Sequence, residues 1–180
     1  PLMKLAYFPV KYDYAALINL FTEIAIDLRK NGILSIEKLL TGFEHYFPQK
    51  LCKYFIDGAD LDEINNLARM EISAMQERHM SNAFIFTKMG GYAPTMGILG
   101  TVMGLIMTLS NAGNNPDLLI RNIASAFIAT LWGVFTANLL WLPVGDKLKQ
   151  CHLEEKLLME LTLEAVIALR SGEVPSLLKT

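Results

Sequence analysis

The chain has 180 residues, 52% of them hydrophobic, and a formal net charge of -2 at pH 7. That balance offers no basic surface for a nucleic acid. A mean hydropathy of +0.32 is high for an ordinary soluble domain and points to membrane-spanning stretches.

Residues 1 to 13 lack clear periodicity and read as a lead-in. Leu17, Leu20, Phe21, Ile24 and Leu28 then recur at helical spacing and Asn31-Gly32 supplies a stop, which predicts a helix over Tyr14 to Lys30. Ser35 is placed to cap a second helix, Ile36 to His45, which Pro48 breaks; a short helix over Lys50 to Ile56 follows, with a turn at Asp57-Gly58. These short helices should pack as one cytoplasmic cluster.

Asp60 and Glu63 have capping-box spacing and should open a long helix through Leu61, Ile64, Leu67, Ala68, Ile72, Met75, His79 and Ala83. No proline or glycine intervenes before Gly90, so this helix should run on into the next segment. Gly90 to Ser110, GGYAPTMGILGTVMGLIMTLS, carries no ionisable side chain except a tyrosine and is long enough to span a bilayer. Pro94, Gly97, Thr101, Gly104 and Thr108 recur at spacings of three and four and form one stripe on a helix, with Gly100 and Gly104 making a GxxxG.

A second uncharged stretch, Asn122 to Gly145, repeats the scheme with Ala126, Thr130, Gly133 and Ala137, and exits at Asn138, Trp141 and Pro143. The two spans, about 90–110 and 122–143, predict an all-α integral membrane protein built on a two-helix hairpin whose small-residue stripes pack together. Residues 1–89 form a helical cytoplasmic domain leading into it, 90–145 the hairpin, and 146–180 a C-terminal cytoplasmic helix and tail. That last helix, Lys147 to Arg170, ends at Ser171-Gly172 with Pro175 beyond. Arg78 and Lys88 precede the first span and Lys147 and Lys149 follow the second, whereas the connection between the spans has only Arg121 against Asp117, which puts both termini in the cytoplasm and the loop Asn111 to Asp117 outside.

Neither span contains Asp, Glu, Lys, Arg or His, so a titrating group for an ion path must come from a partner. Thr101 and Thr130 offer only hydroxyls, and by residue type alone their ordinary work is to bond a carbonyl one turn back or to join helices. Pro94 and Pro143 each remove a backbone donor and serve equally as kinks or hinges. Arg29 and Glu37 flank the Asn31-Gly32 turn; such charges usually form a solvated surface but can dock a partner, and Lys30, Lys38, Glu71 and Glu77 are weaker candidates. Cys52 and Cys151 have no metal-ligand spacing with His45, His79 or His152, and no phosphate loop or nucleophile motif is present. No enzyme activity, cofactor or metal is expected.

The two spans, with APTMGILGTVMGL followed by IATLWGVFTANLLWLP, resemble the third and fourth membrane helices of flagellar stator subunits of the MotA/PomA type, in the wider MotA/TolQ/ExbB family. KYDYAALINLFTEIAIDLRKNGILSIE and the tail EAVIALRSGEVPSLL are similar to the family's flanking cytoplasmic segments, so the chain looks like the C-terminal two thirds of such a subunit. The resemblance implies a ring of five copies in the bacterial inner membrane around a MotB-like partner whose aspartate carries the ion, H+ or Na+, with the cytoplasmic part pushing on the rotor protein FliG. It implies that Pro94 and Pro143 couple ion flow to movement, that Thr101 and Thr130 bear on ion choice, and that Arg29 and Glu37, with Glu71 behind them, face the rotor. Sodium-type relatives have threonine at the position of Thr101, as this chain does, and a Thr-Thr pair where this chain has Ala129-Thr130, a mixed pattern that leans the expectation only slightly toward protons. The alternative is a TolQ/ExbB-like energiser of an envelope complex.

Overall fold

The computed structural model describes residues 2–110 and 116–172. Among these residues there are helices and turns and no strands. The helices are α1 (Leu2–Tyr7), α2 (Tyr14–Asn31), α3 (Tyr46–Ile56), α4 (Leu61–Ser110), α5 (Pro116–Thr136) and α6 (Leu142–Ser171), with a π turn over Ala137–Trp141 joining the last two. They form two compact units, one of residues 1–9 with His79–Cys151 and one of Val10–Arg78 with the residues from His152 on. We call them the hairpin unit and the bundle unit.

In the bundle unit, Asp13 starts α2 by accepting the Ala16 N–H at 2.9 Å, and Gly32 ends it at φ 81°, where a side chain would be strained. The expected helix over Ile36 to His45 is not formed. Two 3-10 turns, Ile33–Lys38 and Leu40–Gly42, stand in its place, and Ser35 caps nothing; its hydroxyl donates back to the Gly32 carbonyl at 2.7 Å. The cause is packing: a Cβ on Gly42 would lie 3.1 Å from a Leu20 methyl, and Ile36 and Phe43 turn fully into the core. The next helix also starts earlier than expected, at Tyr46, because His45 Nδ1 accepts the Phe47 N–H and Pro48 falls in the first turn, where a missing donor costs nothing.

The bundle core is Phe21 and Ile24 of α2, Phe47 and Leu51 of α3, Ile64, Ala68 and Met75 of α4, and Met159 and Val166 of α6, all at most 2% exposed. Leu67, counted in the helical pattern that opens at Asp60, is 43% exposed and lies outside that core, as does Leu157 of α6 at 46%. The Asp60 N–H donates to Glu63 Oε2 at 3.3 Å, the returning half of the capping box, and α4 runs its 50 residues without a break.

In the hairpin unit the lead-in holds an unexpected helix, α1, whose Ala6 packs with Ala83, Phe86, Val144 and Leu148. The helices containing α4 and α5 are both long and apolar enough to cross a membrane, and only 11% and 17% of their most apolar windows are buried. A core helix of a soluble protein shows the reverse. Pro116 and Asp117, expected in the loop, begin α5; the rest of that loop, 111–115, and Pro175 lie outside the described residues.

Candidate functional site

The site begins with the two stripes of small residues, which face each other. A Cβ on Gly97 would lie 2.9 Å from the Ala129 carbonyl oxygen and 3.0 Å from Thr130 Cα, one on Gly133 would lie 2.6 Å from the Ala93 carbonyl oxygen, and one on Gly104 would lie 2.9 Å from Ala126 Cβ. Gly100 sits over Ala129 with more room, at 3.1 Å. Ala126 and Ala137 are buried. Backbones this close admit no side chain, which is the physical use of such stripes in membrane helices.

Where the stripes meet, Thr101 Oγ1 and Thr130 Oγ1 are 2.5 Å apart. Thr101 Oγ1 also lies 2.8 Å from the Ala126 carbonyl oxygen and 3.2 Å from that of Gly97, and Thr130 Oγ1 is 3.2 Å from the Gly97 oxygen as well. Two hydroxyl protons therefore serve four contacts, and rotation about Cβ–Oγ chooses which carbonyl each hydroxyl serves. Thr101 is 9% exposed. Both ordinary roles of a membrane threonine, bonding back and joining helices, are filled by this one pair. Thr108, on the same stripe, bonds only within its own helix, to Gly104.

The prolines lie on either side of this contact in sequence. Pro94 is inside α4 and half-buried. Pro143 is exposed at the second position of α6, directly after the π turn, where the Leu142 N–H reaches back to the Ala137 carbonyl. A proline cannot donate to the ladder, so the carbonyls before it go over to the wider π spacing. Trp141 packs against Phe86, ring centroids 6.5 Å apart. Sequence reasoning missed two further close approaches here, Gly90 on Leu142 and Gly145 on Thr87; their signal was the glycines themselves.

In the bundle unit the charged candidates separate. Arg29, in the last turn of α2, donates from Nη2 to the Gly172 carbonyl at 3.0 Å, and Glu37 is exposed on the 3-10 turn. Lys30 and Lys38 line one shallow pocket together with Glu23 and Asp27. Glu71 is held on both carboxylate oxygens, by Tyr46 O–H at 2.8 Å and Lys50 Nζ at 2.6 Å, which ties α3 to α4. Those partners are 25 and 21 residues away, beyond what a helical pattern can predict. Burial pushes the Cys52 thiol up to about 12, so it stays protonated and inert. Among the described residues no cluster of His, Cys, Asp and Glu could hold a metal ion.

The profile of the MotA/TolQ/ExbB proton channel family matches residues 37–161. Motility protein A of Bacillus subtilis is 37% identical over 91% of this chain and 60% of its own length, and the chemotaxis protein PomA of Vibrio alginolyticus is 32% identical over 88% and 62%. The chain thus spans about three fifths of the length of these curated relatives. Two solved structures superimpose on 99% of it: a MotAB structure from C. jejuni, with a TM-score of 0.93 and 28% identity, and the flagellar MotAB stator complex from Bacillus subtilis, with 0.91 and 35%. They cover this chain with 69% and 70% of their own. The chain belongs to the MotA/TolQ/ExbB proton channel family.

Proposed function

We propose that this chain is part of a stator subunit of the bacterial flagellar motor, which with a MotB-like partner forms an ion channel and converts proton or sodium motive force into torque. The observation that carries the reading is the Thr101–Thr130 hydroxyl contact at the seam of two small-residue stripes, in spans that have no ionisable group of their own. A hairpin of that kind can line a path but cannot carry the charge, and the stator relatives point to a partner that does. In this reading the partner supplies the membrane aspartate and five copies ring it in the bacterial inner membrane. Both termini of the chain face the cytoplasm, and Arg29 and Glu37 meet the rotor protein FliG.

Pro94 and Pro143 act as the hinges that let ion passage move the bundle unit. Glu71 is the weakest of the rotor candidates, since its carboxylate already serves Tyr46 and Lys50. The hydroxyls of Thr101 and Thr130 satisfy each other, so a sodium ion would have to break that contact; this supports protons as the transported ion. The chain is not an enzyme and needs no cofactor.

The test is swimming of cells that depend on the full-length subunit and its partner, at fixed pH, with sodium varied and a protonophore added. Speed indifferent to sodium and abolished by the protonophore assigns protons. Speed that follows sodium and survives the protonophore assigns sodium and makes both threonines ligands. Absence of swimming favours the TolQ/ExbB-like energiser.

A further inference from the structure

Helix α3 is capped by a side chain that can lose its acceptor. The Phe47 N–H, one of the donors that a helix start leaves without a backbone partner, donates to His45 Nδ1 at 3.3 Å. The residues usual in that position, Ser, Thr, Asp and Asn, keep an acceptor oxygen at every pH near neutrality. Imidazole does not, since it changes charge between about pH 5 and 8.

Accepting at Nδ1 puts the proton of the neutral ring on Nε2, which lies 3.5 Å from Glu155 Oε1 of α6, and both side chains are less than a fifth exposed. A second proton must go on Nδ1. There it sets N–H against N–H at Phe47 and brings a positive charge to the positive end of a helix, both unfavourable. On the other side of the ring the same proton turns the Glu155 contact into an ion pair. Tyr12 meets the ring edge-on at 5.9 Å and Tyr46 lies at 4.9 Å, pushed up to about 12 and so neutral throughout this range. Asp13 and Glu44 line the same cavity as Tyr12 and His45 and add to the negative charge that receives an imidazolium. Cap and ion pair are therefore alternatives, and the pH chooses between them.

We infer that His45 is a pH switch at the start of α3: neutral, it caps the helix; protonated, it gives up the cap and pairs with Glu155 of α6, loosening the turn from which Tyr46 reaches Glu71 of α4. That the switch reads the pH of the cytoplasm rests on the placement of the bundle unit proposed above. The exchange of partners itself does not.

The experiment follows hydrogen exchange at the Phe47 amide in the purified full-length subunit with its partner, by fragmentation mass spectrometry from about pH 8 to about pH 5, corrected for the intrinsic pH dependence of exchange. Protection of Phe47 should fall about fivefold on acidification, the worth of one helix cap. His45→Asn keeps a capping oxygen that does not titrate and should hold Phe47 protected across the whole range. Glu155→Gln removes the charge that receives the imidazolium and should move the fall to lower pH. A wild-type profile without the fall overturns the inference, as does the same fall in His45→Asn, which would place the titrating group elsewhere. A fall left in place by Glu155→Gln overturns the pairing with α6. If His45→Asn does not assemble, the wild-type profile and its displacement in Glu155→Gln decide. None of these readouts depends on transport or swimming, so their failure and failure of the stator reading are separate results.

Discussion

Gly97 and Gly133 lie against each other with no room for a methyl group on either. A Cβ on Gly133 would sit 3.0 Å from Gly97 Cα and 2.6 Å from the Ala93 carbonyl oxygen, both backbone atoms that cannot swing aside. Gly91, by contrast, has nothing within 4 Å of the same position.

Gly133→Ala should therefore cost about 1–3 kcal/mol of hairpin stability, as overpacking typically does, whereas Gly91→Ala should be close to neutral. The comparison is the amount of folded full-length complex recovered from membranes and its resistance to heat in detergent. Equal behaviour of the two variants would mean that the stripes are not in contact. Gly104→Leu should behave like Gly133→Ala, since even a Cβ there meets Ala126 at 2.9 Å.

The threonine pair gives a coupled prediction. Thr101→Val removes the hydroxyl that meets Thr130, the Ala126 carbonyl and the Gly97 carbonyl, and Thr130→Val removes its partner. Interhelical hydrogen bonds in membranes are worth about 0.6 kcal/mol on average and up to about 1.7. Both single variants should fall in that range, and the double variant should cost less than their sum, because each already breaks the shared contact. Additive losses would show that the two hydroxyls do not act together.

These stripes are legible in the sequence because a spacing of three and four residues fixes a helix face, and small residues on that face have one common use in membranes. The capping box at Asp60 and the stop at Asn31-Gly32 are legible for the same local reason. What is not legible depends on distant residues. Ile36 to His45 has the composition of a helix, yet Leu20 crowds Gly42 and the core draws in Ile36 and Phe43, so two 3-10 turns form. Helix α1 exists because Ala6 finds Ala83 and Phe86. The full engagement of Glu71 follows from no local pattern, since Tyr46 and Lys50 belong to another helix.

That engagement makes the bundle unit sensitive to alkali. Tyr46 is pushed up to about 12, by burial first and then by its hydrogen bond to Glu71, and Lys50 is held above its ordinary value, first by its hydrogen bond to Glu71. Both groups bind their protons more tightly in the folded chain, so their contribution is fully present below the unfolded values, 10.0 and 10.5, and is lost as the pH rises through the folded values, which for Tyr46 is about 12. Tyr46 is 51% exposed and the Lys50 side chain 42%, so solvent screening keeps the contribution to about 1 kcal/mol or less. Glu71→Gln should lower the melting temperature slightly below pH 10 and flatten the decline between pH 10 and 12. An unchanged alkaline slope in Glu71→Gln would separate the decline from this triad.

The charges and the prolines test different halves of the proposed mechanism and should fail differently. Arg29→Glu and Glu37→Lys alter exposed side chains on α2 and the 3-10 turn, away from the bundle core, so assembly and ion leakage should be unchanged while swimming falls. Pro143→Ala restores a backbone N–H directly after the π turn, and the restored donor favours an unbroken α-helical ladder from α5 into α6. A regular helix is at least as stable as one with a π turn, so the variant should assemble to normal levels. If the π turn is the hinge, the motors should nonetheless stall. Pro94→Leu, which refills the ladder inside α4, should do the same. Loss of assembly in both proline variants would return the prolines to a purely architectural role, and normal swimming in both charge reversals would remove Arg29 and Glu37 from the rotor contact.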